Sequence, residues 1–187
     1  MKLVLASQSP RRRELLSILD IPFTVMPSAV VEIPQSAEAP QTYVARVARE
    51  KAMDVASRLS DCVILSADTE VSIDGNILGK PADGDEAAHM LQKLSGRCHS
   101  VYTAVCVIHQ EKGEMLEGLE ETRVWFDPLS DDEIRDYVRR ENVLDKAGAY
   151  AIQGYAGIYI PKIEGNYFNV MGLPLPLVHR LLCRISS

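Results

Sequence analysis

Residues 2–6 form a short apolar run closed by the polar string Ser7-Gln8-Ser9, the pattern of a buried strand passing into a turn. Residues 10–19 read as a helix, because a proline in the first turn has no intrahelical N–H to lose. A second short strand is expected over residues 23–26, and residues 27–39, which carry two prolines and no periodicity, read as a loop. From 41 to 59 the positions Val44, Val47, Ala48, Val55, Ala56 and Leu59 share one helical stripe that needs a sheet to cover it. Lys51 lies off the centre of that stripe.

Residues 62–67 read as a central strand, with residues 71–73 and 77–78 as the arms of a hairpin around Asp74-Gly75. A helix over 85–94 stopping at Gly96 follows, then two long strands, 99–109 and 115–126, turning at 111–113. Ser130-Asp131-Asp132-Glu133 is a capping box that opens a helix through Val138. The last third is glycine-punctuated strand and loop, closed by a helix over 175–185. Strands and helices alternating from the first residues predict an α/β fold, and 187 residues suit one domain, 1–187.

A formal charge of -6 argues against a nucleic-acid polymer as partner, since a polyanion needs a basic face that releases counterions. A small phosphate ligand needs only a few local cations. No window approaches the apolar length of a membrane span, and the first arginines follow the apolar run instead of preceding it, so no membrane segment and a cytoplasmic location are expected. Cysteines 62, 98, 106 and 183 make no C-x-x-C pair and the histidines no H-x-x-x-H spacing. Reduced, mostly buried thiols are therefore expected. Any metal would be a hard divalent cation held by carboxylates and substrate phosphates.

The most informative local string is Ser7-Gln8-Ser9-Pro10-Arg11-Arg12-Arg13, at a passage from strand to helix. Free backbone N–H groups and the positive end of the helix dipole favour an anion there, and arginines can grip phosphate in bidentate fashion. An ordinary capped helix with solvated arginines would carry the same string. Asp68 follows an apolar strand, and ligands of α/β sheets gather beyond the carboxyl ends of strands. Lys80 sits between Gly79 and Pro81, on a segment the proline holds extended. Glu32 and Lys51 are unremarkable alone. Together, cations at 11, 12, 51 and 80 with carboxylates at 32 and 68 are the inventory for a polyphosphate, a bridging divalent metal and an activated water.

The ordered strings L-A-S-x-S-P-R-R, A-R-E-K-A, A-D-T, G-K-P, K-A-G-A-Y-x-I-Q-G and G-L-P-L, spanning residues 5–175, closely resemble the Maf-type nucleotide pyrophosphatases. Within that family Thr69 and Gln153 look like the branch acting on dTTP and UTP, not the branch acting on 7-methyl-GTP. The resemblance implies a mixed twisted sheet flanked by helices, with two lobes around a central cleft. It implies cleavage between the α and β phosphates of a nucleoside triphosphate, with Mg2+ or Mn2+ as cofactor and a homodimer as assembly. It carries onto Asp68 the role of proton acceptor, and onto Arg11, Thr69 and Gln153 that of specificity residues. Ser7, Arg12, Lys51 and Lys80 would line the phosphates, and Glu32 with Asp68 would hold the metal. Competing readings are an inosine-triphosphatase-like house-cleaning enzyme and a nucleotide-binding regulator of cell division. Two positions depart from the family pattern: Ser66 replaces a glycine, and Glu70 replaces an apolar residue. Period two puts Glu70 on the face of Asp68, as an extra metal ligand or, more ordinarily, as a surface glutamate at a strand end.

Overall fold

The computed structural model describes residues 2–187. One seven-stranded sheet has the order β2-β1-β3-β5-β6-β7, with β4 on β3. β1 (Leu3–Leu5) pairs in parallel with β2 (Phe23–Val25) and with β3 (Val63–Ile73). The remaining pairs, to β4 (Asn76–Ile77), β5 (Cys98–His109), β6 (Glu114–Trp125) and β7 (Lys162–Glu164), are antiparallel. The fold is thus mixed α/β. The short parallel strands need a helical crossover, supplied by α1 (Pro10–Ser17) and α2 (Pro40–Ala56), whereas β5 and β6 need only a tight turn.

Period two divides the long strands into two faces. Ile64 of β3 and Tyr102, Ala104 and Cys106 of β5 pack with Val44, Val47, Ala48 and Val55 on the predicted stripe of α2. On the other face, Val63, Leu65 and Ala67 join α1 and α6 (Leu175–Ser186). Farther along the same face, Val71, Ile73 and Val101 join α3 (Gly84–Leu94) and α4 (Asp131–Arg140). Two helix groups therefore share one face of one sheet. The seam between them falls at Thr69 and Thr103, which are register partners and break the apolar run of each strand. The short helix α5 (Tyr167–Val170) bonds this seam: the Thr103 hydroxyl donates to the Asn169 carbonyl at 3.2 Å.

Side chains cap α1, α3 and α4 at their N-termini. Ser9 accepts the Arg12 N–H at 3.4 Å, Asp83 accepts that of Glu86 at 2.8 Å, and the capping box of Ser130 and Glu133 is formed. Gly96, just past α3, has φ +67°, a backbone conformation that glycine takes without strain. Two departures matter. The expected break between residues 67 and 71 is absent, because β5 pairs with β3 at every position from Val63 to Ser72. The final third also contains β7, α5 and two 3-10 turns, Ala147–Ala149 and Tyr155–Tyr159, which short glycine-rich periodicity did not distinguish.

His99 gives the fold a measurable pH dependence. It is buried against Phe126 and Tyr150, its Nε2 lies 2.8 Å from the Tyr150 hydroxyl, and its Nδ1 has no partner. Burial pushes its pKa down from 6.5 to about 4. Between those values the unfolded chain binds a proton that the folded chain refuses, so stability is present above 6.5 and falls as pH drops toward 4. That window contributes about 3 kcal/mol. Urea unfolding of His99→Gln should lack this component, and an unchanged pH slope would show that the imidazole does not carry it.

Candidate active site

The site arises where β3 outruns β1. Pairing of these strands ends at Leu5 with Leu65, extended by the Ala6 N–H to the Leu65 carbonyl at 2.8 Å. β4 rejoins that edge only at Ser72 and Ile73, after the Leu78 N–H has bonded the Val71 carbonyl at 2.9 Å. Residues 67–70 are left as an open edge, beyond the carboxyl end of a parallel strand and beside Ser7–Arg12. Asp68 is thus in the middle of its own strand, not after it as the sequence suggested, but it lies past the end of β1.

On the α2 face of this edge, Lys51 sits between two carboxylates. Its Nζ is 2.7 Å from Asp68 Oδ1 and 2.6 Å from Glu32 Oε1, and Lys80 Nζ stands 4.0 Å from Glu32 Oε2. The α2 turn that aims Lys51 is pinned by the Ser66 hydroxyl, which donates to the Ala48 carbonyl at 2.5 Å. The departure from glycine at 66 has become a strand-to-helix bond. Asp68 is 3% exposed and its Oδ2 has no partner. Burial pushes the Asp68 carboxyl up against the pull of Lys51 and Arg12. Burial also acts on Glu32, but Lys51, Lys80 and Arg12 outweigh it and hold that carboxyl below its usual range.

Glu70 corrects the surface reading: it is 7% exposed, on the same face as Asp68. Burial, reinforced by the Asp68 charge, pushes its carboxyl up to about 8. The sequence signal for burial was present in Val71, Ser72 and Ile73, which continue the strand instead of ending it.

The seam side carries the arginine. Arg12 Nε donates to the Gly172 carbonyl at 2.8 Å and Nη2 to Thr69 Oγ1 at 2.9 Å. Thr69 Oγ1 lies 2.9 Å from Thr103 Oγ1. Burial lowers the Arg12 pKa, and Asp68, Glu32 and Glu70 counter it, so the guanidinium sits in the field of all three carboxylates. Thr103 and Asn169 were not anticipated, and Gly172 stood only as the first residue of the G-L-P-L string. A threonine interrupting the apolar run of β5 opposite Thr69 was the available signal.

Ser7 is buried and its hydroxyl accepts the Ser9 N–H at 3.2 Å. Arg11 bridges the seam to Asp145 at 3.9 Å. Gly148 sits at φ +66° with room for no Cβ, since one would meet Val71 Cγ1 at 2.9 Å, and its N–H bonds the Gly79 carbonyl at 2.8 Å. That bond ties the Lys80 loop to the K-A-G-A-Y segment. Gln153 follows on an exposed turn and makes no hydrogen bond within the described chain, so it is not drawn into the Lys51–Asp68 cluster. Among the described residues no three His, Cys, Asp or Glu side chains are arranged to hold a metal. The donors are carboxylate oxygens, however, and one of Asp68's is buried and free, which suits a hard cation completed by waters and substrate oxygens. All four cysteines are free, Cys62 and Cys106 being buried and Cys183 exposed. No helix is long and apolar enough to cross a membrane.

Sheet, open edge and mixed-charge cluster define an α/β protein with a buried lysine–carboxylate cluster beyond the carboxyl end of a parallel strand. Residues 2–185 match the family model described as Maf-like protein, and the chain belongs to that family. It is 46% identical to a dTTP/UTP pyrophosphatase of Thermoanaerobacter sp. (strain X514), over 98% of this chain and 96% of the relative. It is 50% identical to proteins of the same name from Thermococcus onnurineus, over 96% and 95% of the two chains, and Myxococcus xanthus, over 92% and 87%. A crystal structure of a nucleoside-triphosphatase / dITP/XTP pyrophosphatase from Mycobacterium abscessus aligns with a TM-score of 0.44 at 16% identity, covering 69% of this chain and 76% of the other. That likeness is too distant to bear on substrate.

Proposed function

We propose that the chain is a nucleoside triphosphate pyrophosphatase that hydrolyses dTTP and UTP to the monophosphate and pyrophosphate. The observation that carries this is the Asp68 carboxylate, buried, anchored by Lys51 on one oxygen and free on the other, at an edge flanked by Arg12 and Lys80. The names of the relatives, aligned over nearly the whole chain, support the substrates.

In this reading Asp68 orients water for in-line attack on the α phosphorus and accepts its proton. A carboxyl pushed upward by burial is better matched to that task near neutral pH than an ordinary aspartate. Lys51 holds one Asp68 oxygen, Oδ1, and leaves the other without a hydrogen bond. Ser7, Arg12 and Lys80 neutralise charge accumulating on the leaving pyrophosphate. Asp68 and Glu32 would hold a divalent cation, Mg2+ or Mn2+, which supplies Lewis-acid polarisation of the phosphate oxygens and acidifies water. Arg11 and Thr69 act in nucleotide selection. Gln153, whose amide both donates and accepts, matches the O4 and N3–H edge of uracil or thymine. The enzyme would act in the cytoplasm, as a homodimer, and have no polymer or membrane partner.

Product analysis with Mg2+ or Mn2+ and dTTP, UTP, CTP, dITP, GTP and 7-methyl-GTP tests the reading. Monophosphate and pyrophosphate should form from dTTP and UTP, and orthophosphate release or exclusive purine turnover would refute it. Binding without turnover of any nucleotide would favour the regulator. In Gln153→Ala the preference for UTP over CTP, measured as kcat/KM, should fall about tenfold, the worth of one good hydrogen bond. An unchanged ratio would assign base selection elsewhere.

A further inference from the structure

Glu70 is used by no step above, yet it is a carboxylate held almost wholly out of water. On β3, with side chains alternating between faces, it stands two residues from Asp68 and on the same face. Both carboxylates are more than nine-tenths buried, and each keeps one oxygen, Asp68 Oδ2 and Glu70 Oε2, without any hydrogen-bond partner. Buried acceptors are almost always satisfied, so two orphans on one strand face call for a missing partner. Protein cations do not supply it: Lys51 Nζ is engaged by Asp68 Oδ1 and Glu32, and Arg12 by Thr69 and Gly172. Lys80 is mostly exposed and pairs only loosely with Glu32.

We infer that Glu70 Oε2, together with Asp68 Oδ2, holds the hard divalent cation, Mg2+ or Mn2+, in place of Glu32, which Lys51 and Lys80 already pair. Two carboxyl oxygens from one strand face, completed by water and later by phosphate oxygens, are the donor set that such cations take, the cation displacing any proton they carry. The second contact of Glu70 orients it. Its carboxyl lies in hydrogen-bonding range of the Gly79 N–H, which leaves Oε2 directed elsewhere. Loading this site would place the cation on the water-orienting carboxylate without displacing Lys51. The inference rests on the pyrophosphatase reading for its use in turnover, but not for the existence of the site.

The competing explanation is mechanical: Glu70 anchors the Gly79-Lys80-Pro81 loop and nothing more. Glu70→Gln separates the two, because the amide oxygen still accepts the Gly79 N–H but is a much poorer metal ligand. Binding of Mn2+ alone should be followed by electron paramagnetic resonance in wild type, Glu70→Gln and Glu70→Val, with melting in chelator establishing that each variant is folded. The expected result is one Mn2+ bound by wild type, with affinity reduced at least about tenfold in both variants. Equal Mn2+ affinity in wild type and Glu70→Gln, or no Mn2+ binding by wild type, would overturn the inference. Turnover of dTTP by wild type is read separately, so failure of the pyrophosphatase reading is distinguishable from failure of the metal site.

Discussion

Asp68→Asn should lower kcat for dTTP by about 10²–10⁴, the usual worth of a positioned general base, with little change in KM. The variant should nevertheless be at least as stable as wild type. The folded protein disfavours the Asp68 charge, since burial pushes its carboxyl upward despite Lys51 and Arg12, and an amide of the same shape removes that penalty. Steady-state kinetics and thermal melting on one preparation check both halves. Loss of activity accompanied by a falling melting temperature would mean that Asp68 holds the structure together. Turnover within a few-fold of wild type would remove it from the reaction.

Lys51→Met should damage both properties. Lys51 is the cation between Asp68 and Glu32, at 2.7 and 2.6 Å, and its side chain and that of Asp68 are almost wholly buried. Removing one partner of a buried pair leaves an uncompensated charge and typically destabilises by about 3–5 kcal/mol. Here Asp68 can relieve part of that by taking a proton, which would disable it as an acceptor. The midpoint of chemical unfolding should drop at neutral pH and recover toward wild type as the pH falls and Asp68 takes up a proton. A midpoint independent of pH would show that Lys51 contributes apolar packing and not charge.

The opposite signs expected for stability in these two variants follow from one geometry. A carboxylate that the fold keeps dry is costly to ionise, and Lys51 is what keeps the cost bearable. The same logic explains the placement of Arg12. Its guanidinium is anchored on Thr69 and Gly172 on the seam side but lies in the field of Asp68, Glu32 and Glu70. It balances the acidic cluster while its hydrogen bonds stay on the seam side.

Much was legible in the chain itself. The α2 stripe, the cap residues at Ser9 and Ser130, the turn at Asp74-Gly75 and the glycine after α3 are written in local periods and local hydrogen bonds, and the helices stand within a few residues of where those patterns put them. The inventory of Arg12, Lys51, Asp68, Lys80 and Glu32 was also readable, because the residue types state the chemistry. Their relation was not. Helical and strand periods report which side of an element is apolar, but not how far a neighbouring strand extends. That β1 stops at Leu5 while β3 runs to Ile73 decides that Asp68 lies at an open edge in mid-strand. The same mismatch buries Glu70, which sequence alone left at a solvated strand end, and directs Lys51, off the centre of its stripe, onto two carboxylates. Thr103, Asn169 and Gly172 come from strands and turns distant in the chain. Burial and charge pairing are sums over such non-local neighbours, and only the tertiary structure sets them.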